Sequence, residues 1–414
     1  MTRIGFVYNQ KPDLPALRLE DGDPQSEDEP PSSVPSDDEF AEWDSAETIA
    51  AVENALSALG EVVRLEADAD FPLELRHSGI DLAFNIAEGL RGPNREAHVP
   101  AICEFFGVPY SGSDPFTLSL CLDKARTKEC LAWHGIPTAA FAVVRSRSSA
   151  ELHAILRGSA AASTSLPASV RASASATTAV ATSAATASRR ALRFPLFVKP
   201  VHEGSSKGIT ERNFCRDADE LEAQVTFLLE KYEQPVLIEE FLPGAEFTCA
   251  VLGNGDAATV LPLVGMRYDA LPDGALPVYG YEAKWLWDRP ENPLEIFECP
   301  ARIDDALRRT IEATVLATYR VLGCRDWSRV DVRLDAAGVP NVVEVNPLPG
   351  ILPDPADNSC LPKAARAAGM SYEELIQACA RHAAERQGVA LPTTLDRGES
   401  GAPRRATARG RAVS

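Results

Sequence analysis

From Ser328 to Asn346 the chain reads SRVDVRLD, AAG, VPNVVEVN. Side chains alternate along a strand, so a strand over the first run puts Arg329, Asp331 and Arg333 on one face while Val330, Val332 and Leu334 pack inward. On the second run Glu344 and Asn346 share a face while Val343 and Val345 pack. Period-two patterning on both sides of a short turn folds as an antiparallel hairpin with one apolar face and one polar face. If both polar faces point the same way, Asp331, Glu344 and Asn346 converge beside Arg329. Two carboxylates and an amide oxygen are hard ligands, suited to Mg²⁺ held together with nucleotide phosphates. An exposed hairpin face with a cross-strand Arg–Glu pair explains the same pattern.

The rest of the chain bounds the function. Its 414 residues are 45% hydrophobic and 24% charged, which suits two or three folded domains. The net charge of −19 argues against a general nucleic-acid binder, which needs a basic face. No run approaches the roughly 20 apolar residues of a membrane span, and MTRIGFVYNQ lacks the apolar core of a signal peptide. The nine cysteines are odd in number and never form C-x-x-C, so a reducing, cytoplasmic location is expected.

Along the chain, Arg3–Tyr8, Glu61–Leu65 and Asp81–Ile86 read as strands. A helix begins near Asp44, with Glu47 completing a capping box, and stops at Gly60. Glu96–Phe106 reads as a helix stopped by Gly107. This β-α alternation predicts a parallel, doubly wound N-terminal α/β domain over residues 1–117. Within it, Glu20 to Glu47 carries twelve acidic residues, no basic one and four prolines, and reads as a solvated loop. A central subdomain is expected over 118–235, with one helix from Thr117 to His134 and two edge strands, Phe141–Val144 and Phe194–Lys199. Between those strands lies the Ala/Ser/Thr-rich insert 158–190, too poor in large apolar residues to pack. A C-terminal antiparallel domain follows over 236–388, and then a mobile tail, 389–414. In that domain Asn254-Gly255 marks a hairpin, and helices cover Asp304–Leu322 and Ser371–Arg386.

Three further segments carry candidate chemistry. Lys124 on a helix and Lys199 at a strand end are placed to offset phosphate charge. The loop Glu203–Gly208, with Gly204, Ser205 and Ser206, brings backbone N–H groups toward phosphate oxygens, because Gly204 and Gly208 impose no Cβ. In IEEFLPGAEF, Glu239 and Glu246 flank a crossing between two sheets and offer acceptors for an adenine amino group and ribose hydroxyls. Each has a plainer reading: surface lysines, an ordinary turn, a hinge.

Together these parts resemble the ATP-grasp superfamily and, within it, the D-alanine–D-alanine ligases. The resemblance spans roughly Leu73 to Arg386 and rests on DKARTKECLAWHGIPT, FVKPVHEGSSKGIT, EEFLPGAEFTCAVLG, GYEAKW, WSRVDVRLD, VVEVNPLPG and LPKAARAAGMSYEELI in the family order. It implies a three-domain α/β clamp holding ATP between two sheets, with Mg²⁺ (or Mn²⁺). By the resemblance, Lys124 and Lys199 contact phosphates, and Glu203, Gly204, Ser205 and Ser206 belong to a closing loop. Glu239, Leu242 (through its backbone) and Glu246 hold adenine and ribose. Lys284 lies in the lid, Arg329 stabilises the oxyanion, and Asp331, Glu344 and Asn346 bind the metal. Gly350 and Ser359 lie on the substrate side. The implied reaction joins a carboxylate to an amine through an acyl phosphate, on small molecules such as amino acids, in peptidoglycan synthesis. A homodimer stays open.

Departures cluster on the substrate side. The family's N-terminal GG-x-S-x-E segment, whose glutamate holds an ammonium, is replaced by YNQKPDLPAL and the acidic loop; Glu47 and Glu88 are the candidate substitutes. Trp285 stands where the family's lid has tyrosine, and GILPDPADNSCL is longer than usual. Two other readings therefore stand beside the D-alanine ligase. One is a ligase for another amino acid, peptide or hydroxy acid; the other is an ATP-binding protein without ligase activity. Against the last, a binding-only protein needs no oxyanion arginine beside two metal carboxylates.

Overall fold

A computed structural model describes residues 1–12, 40, 42–156, 192–204, 206–272, 275–278, 280 and 294–392. Ser205, Lys284, Trp285, the insert 158–190, most of the acidic stretch and the tail beyond residue 392 lie outside them.

The N-terminal region holds β1 (Arg3–Tyr8), α1 (Ala46–Ser57), β2 (Glu61–Glu66), α2 (Phe71–Ser78), β3 (Leu82–Asn85) and α3 (His98–Phe106). Its sheet runs β2-β1-β3, all parallel, with Ile4 opposite Val62 and Leu82. The cap of α1 differs from expectation. Ser45, not Asp44, accepts from the N–H of Thr48, so there is no Asp44–Glu47 capping box. Gly107 takes the left-handed conformation (φ 71°) and ends α3 as predicted.

The single helix expected from Thr117 to His134 is two: α4 (Pro115–Leu122) and α5 (Lys124–Trp133). Asp123 breaks them, with extended backbone, and its carboxylate accepts from the N–H of Arg126 as the cap of α5. Lys124 is therefore a first-turn residue, and its N–H donates to Val201 O at 3.2 Å. Then come β4 (Phe141–Val144), α6 (Ala150–Leu156), β5 (Leu196–Pro200), β6 (Phe214–Cys215), α7 (Ala218–Tyr232) and β7 (Val236–Glu240). They form an antiparallel sheet of order β4-β7-β5-β6, so β5 is interior rather than an edge, and the sheet runs on past residue 235 to take in β7.

The third region adds β8 (Glu246–Leu252), β9 (Thr259–Val260), β10 (Val264–Met266), β11 (Phe297–Glu298), α8 (Asp305–Leu322), β12 (Trp327–Leu334), β13 (Pro340–Asn346), α9 (Cys360–Ala367) and α10 (Tyr372–Gln387). The strand order is β11-β10-β8-β12-β13, with β9 also on β8. Asn254-Gly255 does sit in a hairpin, but its loop carries an added 3₁₀ turn, Gly255–Ala257, before β9. The β12–β13 hairpin has the predicted faces with one correction. A bulge follows the Asp331–Glu344 pair, so Val332 lies opposite Val342. Val342 then joins Val330, Val332 and Val345 in the core, and Val343 turns toward the cavity described below.

The capping box of α10 is present: Ser371 accepts from Glu374 N–H, and Glu374 accepts from Ser371 N–H. This helix packs back onto α1, so one core joins Ile4, Phe6, Val52 and Leu56 to Ala250, Trp327, Leu375 and Ile376. The tail also begins packed, since Val389 and Leu391 lie against Leu82 and Ala383. Asp326 fastens this junction. It is fully buried and left-handed (φ 66°), and it accepts from Gly112 N–H, Asn254 Nδ2 and both Nε and Nη2 of Arg386 at 2.8–3.1 Å. Asn tolerates the same backbone region, so Asp326→Asn removes charge rather than conformation. It should lower stability by about 2 kcal/mol, the scale of a hydrogen bond to a buried ion, as read by urea unfolding.

Candidate active site

The sheets built on β5–β7 and on β8–β12–β13 face each other across a cavity of about 770 Å³. Of the predicted residues, Lys124, Lys199, Glu203, Gly204, Ser206, Glu239, Leu242, Glu246, Arg329, Asp331, Glu344, Asn346, Gly350 and Ser359 all line it. Ser205, Lys284 and Trp285 are outside the described residues.

On the first wall, Lys199 and Lys128 converge on Glu239, at 2.7 and 2.8 Å. All three are almost wholly buried. Burial pushes the Glu239 carboxyl up, but the two ammonium groups outweigh it and hold it at about 2. The carboxylate expected near adenine is thus engaged with lysines. Lys128 also donates to Thr138 Oγ1, whose hydroxyl donates to Val342 O, so this cluster ties the wall to the opposite sheet. Lys128 was missed by the sequence reading. The available signal was its i,i+4 spacing from Lys124, which puts both ammonium groups on one helix face.

On the second wall, Glu344 lies opposite Asp331 and pairs with Lys124 at 2.8 Å. Lys124 donates as well to the carbonyl of Glu203, linking the hairpin to the Gly/Ser loop. Burial raises the Glu344 carboxyl, yet Lys124 and Lys199 bring it below its ordinary value. Arg329 pairs along its own strand with Asp331 at 3.0 Å rather than across to a glutamate. Among the described residues, Asp331 Oδ1 and Arg329 Nε are buried without a hydrogen-bond partner. Buried polar groups without a partner are uncommon in folded proteins, and a bound ion or ligand is one explanation for them.

The connection between walls is stiff. Gly244 N–H donates to Leu334 O, and Leu334 N–H to Ala245 O. Glu246 accepts from Tyr268 Oη at 2.7 Å and Arg333 Nη1 at 2.9 Å, and Arg333 stacks over Phe241. The Gly/Ser loop is anchored by Asn213, whose amide donates to Val198 O and Gly208 O. Gly208 serves packing rather than phosphate approach: at φ 73°, a Cβ would lie 2.8 Å from Pro200 and 2.9 Å from Tyr232. At the far end, Ser359 Oγ donates to Gly350 O and accepts from Leu352 N–H, closing the extended loop over the cavity mouth. Of the two candidate N-terminal glutamates, Glu88 lines the cavity, beside Glu96, and Glu47 is exposed outside it. Burial and Glu96 push the Glu88 carboxyl well up, and burial brings Glu96 to about 7.

Residues 170–380 match the family described as the D-ala D-ala ligase C-terminus. The D-alanine–D-alanine ligase of Bordetella petrii is 33% identical over 73% of this chain and 76% of its own length. That of Actinobacillus pleuropneumoniae serotype 5b is 35% identical over 79% and 89%. The chain belongs to the D-alanine–D-alanine ligase family. The uncharacterized protein y4sG of Sinorhizobium fredii is 34% identical over 71% of this chain and 72% of its own length. The crystal structure of D-alanine–D-alanine ligase from Bacillus anthracis complexed with ATP superposes with TM-score 0.60 at 21% identity, covering 94% of this chain and 99% of that one. The ATP-grasp architecture read from the motifs is thus the observed fold of this family member. Among the described residues no helix is long and apolar enough to cross a membrane.

Proposed function

We propose that this family member binds ATP in the cavity between its two sheets and joins a carboxylate to an amine through an acyl phosphate, with D-alanine as the first substrate to test. One observation carries the reading: Lys124, Lys199, Arg329, Asp331, Glu344 and Asn346, drawn from three separate segments, line a single cavity.

Mg²⁺ fits the donor set. Asp331 offers a buried, unpartnered oxygen, Glu344 is held ionised by its lysines, and Asn346 lies opposite Arg329 on the same ladder. Among the described residues no three His, Cys, Asp or Glu side chains form a metal cage. Two carboxylates and an amide oxygen suit a cation that completes its shell with phosphates and water. When bound, the metal would neutralise phosphate charge. Lys124 and Lys199 add positive charge at the phosphates. Arg329, with an unpartnered Nε, is oriented by Asp331 to donate to an oxyanion developing at the carbonyl. The lid, with Lys284 and Trp285, and the loop carrying Ser205 would exclude water that otherwise hydrolyses the acyl phosphate. Gly350 and Ser359, at the mouth, would meet the substrate, and Glu246 and Leu242 the nucleoside. A cytosolic location and a dimer belong to this reading as well.

A second reading has its own support. Glu88 and Glu96 line the cavity while the family's N-terminal motif is replaced by YNQKPDLPAL and the acidic loop, which favours a substrate other than D-alanine. An ADP-release screen against D- and L-amino acids, singly and in pairs, with mass analysis of products, separates the two. ADP release dependent on D-alanine and a D-Ala–D-Ala product are expected. Release only with another amino acid selects the second reading, and no release with any of them removes D-alanine and every other amino acid as the substrate.

A further inference from the structure

The Gly/Ser loop is already occupied by an anion from the same chain. Glu42, near the C-terminal end of the acidic stretch, has a side chain only 8% exposed. Its Oε1 accepts from the backbone N–H of Gly204 at 3.1 Å, and its Oε2 lies 3.4 Å from Lys207 Nζ. Both oxygens accept from Arg95 Nη2 at 2.9 Å. The carboxylate sits on the side of Gly204 left open by glycine: a Cβ there would lie 2.5 Å from Glu42 Oε1. Arg95 also donates through Nη1 to His202 O, at the start of the loop. A backbone N–H, an ammonium and a guanidinium converging on one small oxyanion is a phosphate-binding arrangement. Two anions cannot share these donors, because like charges at contact distance repel strongly in a partly buried site.

We propose that Glu42 is a built-in competitor for the loop's phosphate donors, so that nucleotide engages the loop only by displacing the turn that carries Glu42. The proposal rests on reading Glu203–Gly208 as the phosphate loop. The turn is suited to release. Among the described residues, its internal ties are a Trp43 N–H to Phe40 O bond at 3.1 Å and a Phe40–Trp43 ring contact. Beyond it the chain is anchored separately, by Asp44 N–H to Asn9 O and Lys11 N–H to Asp44 O. Displacing Glu42 therefore does not require α1 or β1 to move. In this arrangement Glu42 gives the acidic stretch a role at the active site.

The test uses the full-length chain, wild type and Glu42→Gln, with ATP and ADP binding measured by calorimetry and hydrogen exchange followed over Phe40–Asp44. Gln keeps the size and removes the competing charge. If the Glu42-bound state holds about nine-tenths of the free protein, its loss should tighten nucleotide binding about tenfold. In the wild type, nucleotide should speed exchange over Phe40–Asp44. Tighter binding together with faster exchange sustains the proposal. Unchanged or weaker binding, or an added protection of this turn by nucleotide, overturns it and makes Glu42 a fixture of the closed loop. Should the variant not fold, the wild-type exchange result decides alone. If neither protein binds ATP, this proposal and the ligase reading fall together; if both bind equally, only this proposal falls.

Discussion

Glu344→Gln should abolish ATP-dependent product formation while leaving the protein folded. Glu344 sits where the two walls meet, paired with Lys124 and opposite Asp331. Its carboxyl is held below its ordinary value by Lys124 and Lys199 against the opposing effect of burial, so it is ionised at neutral pH and available to a hard cation. The glutamine keeps the shape and loses the charge. Turnover should fall by at least about a hundredfold, the scale for removing one preorganised electrostatic contact. Folding should change little. The side chain is 26% exposed, and Lys124 retains the Glu203 carbonyl, so the expected stability loss is about 1 kcal/mol. ADP release and thermal unfolding on the same preparation check both halves. Unchanged turnover would return the hairpin face to an ordinary polar surface.

Glu239→Ala should damage folding and activity together. The substitution strands the ammonium groups of Lys128 and Lys199, residues that are only 2% and 6% exposed. Breaking a buried ion pair by removing one partner costs roughly 3–5 kcal/mol, because the remaining charge is uncompensated. The pH dependence has a definite sign. Glu239 is held at about 2 against 4.5, so its contribution is full above pH 4.5 and lost as pH falls toward 2. In the variant this acid limb should flatten. Its deficit should shrink as pH rises toward about 10.4, where unfolded lysines lose their protons and the buried neutral forms no longer count against folding. Urea unfolding across pH 2–10 reads both limbs; an alanine variant as stable as wild type at pH 7 would mean that the lysines find other partners.

Much of the site was legible because strand alternation is a local rule. Arg329, Asp331, Glu344 and Asn346 lie on one face because period two is set by backbone geometry alone. The single error there, Val343 for Val342, arises from a bulge, which shifts register without a strong signal in side-chain type. The helix break at Asp123 was harder to see. Asp in a helical pattern reads either as a surface residue or as a cap, and the local sequence does not choose. The Lys128–Glu239–Lys199 cluster needed two elements, α5 and the β5–β7 pair, brought together from across the insert. Glu42 offered least. In a stretch with twelve acids and no base, nothing marked one of them as the partner of Arg95, Lys207 and Gly204.

The sequence by itself determined the family, the faces of the hairpin and the bounds of elements such as β1, α8 and β12, because periodicity, caps and ordered motifs are properties of neighbouring residues. The tertiary structure alone decided which charges meet. It seated α10 against α1, joined the first and last regions through Asp326, directed Glu239 to two lysines, and set Glu42 in the Gly/Ser loop. Pairings of this kind depend on how distant segments pack and on what burial does to each charge, and neither is written in the spacing of residues along the chain.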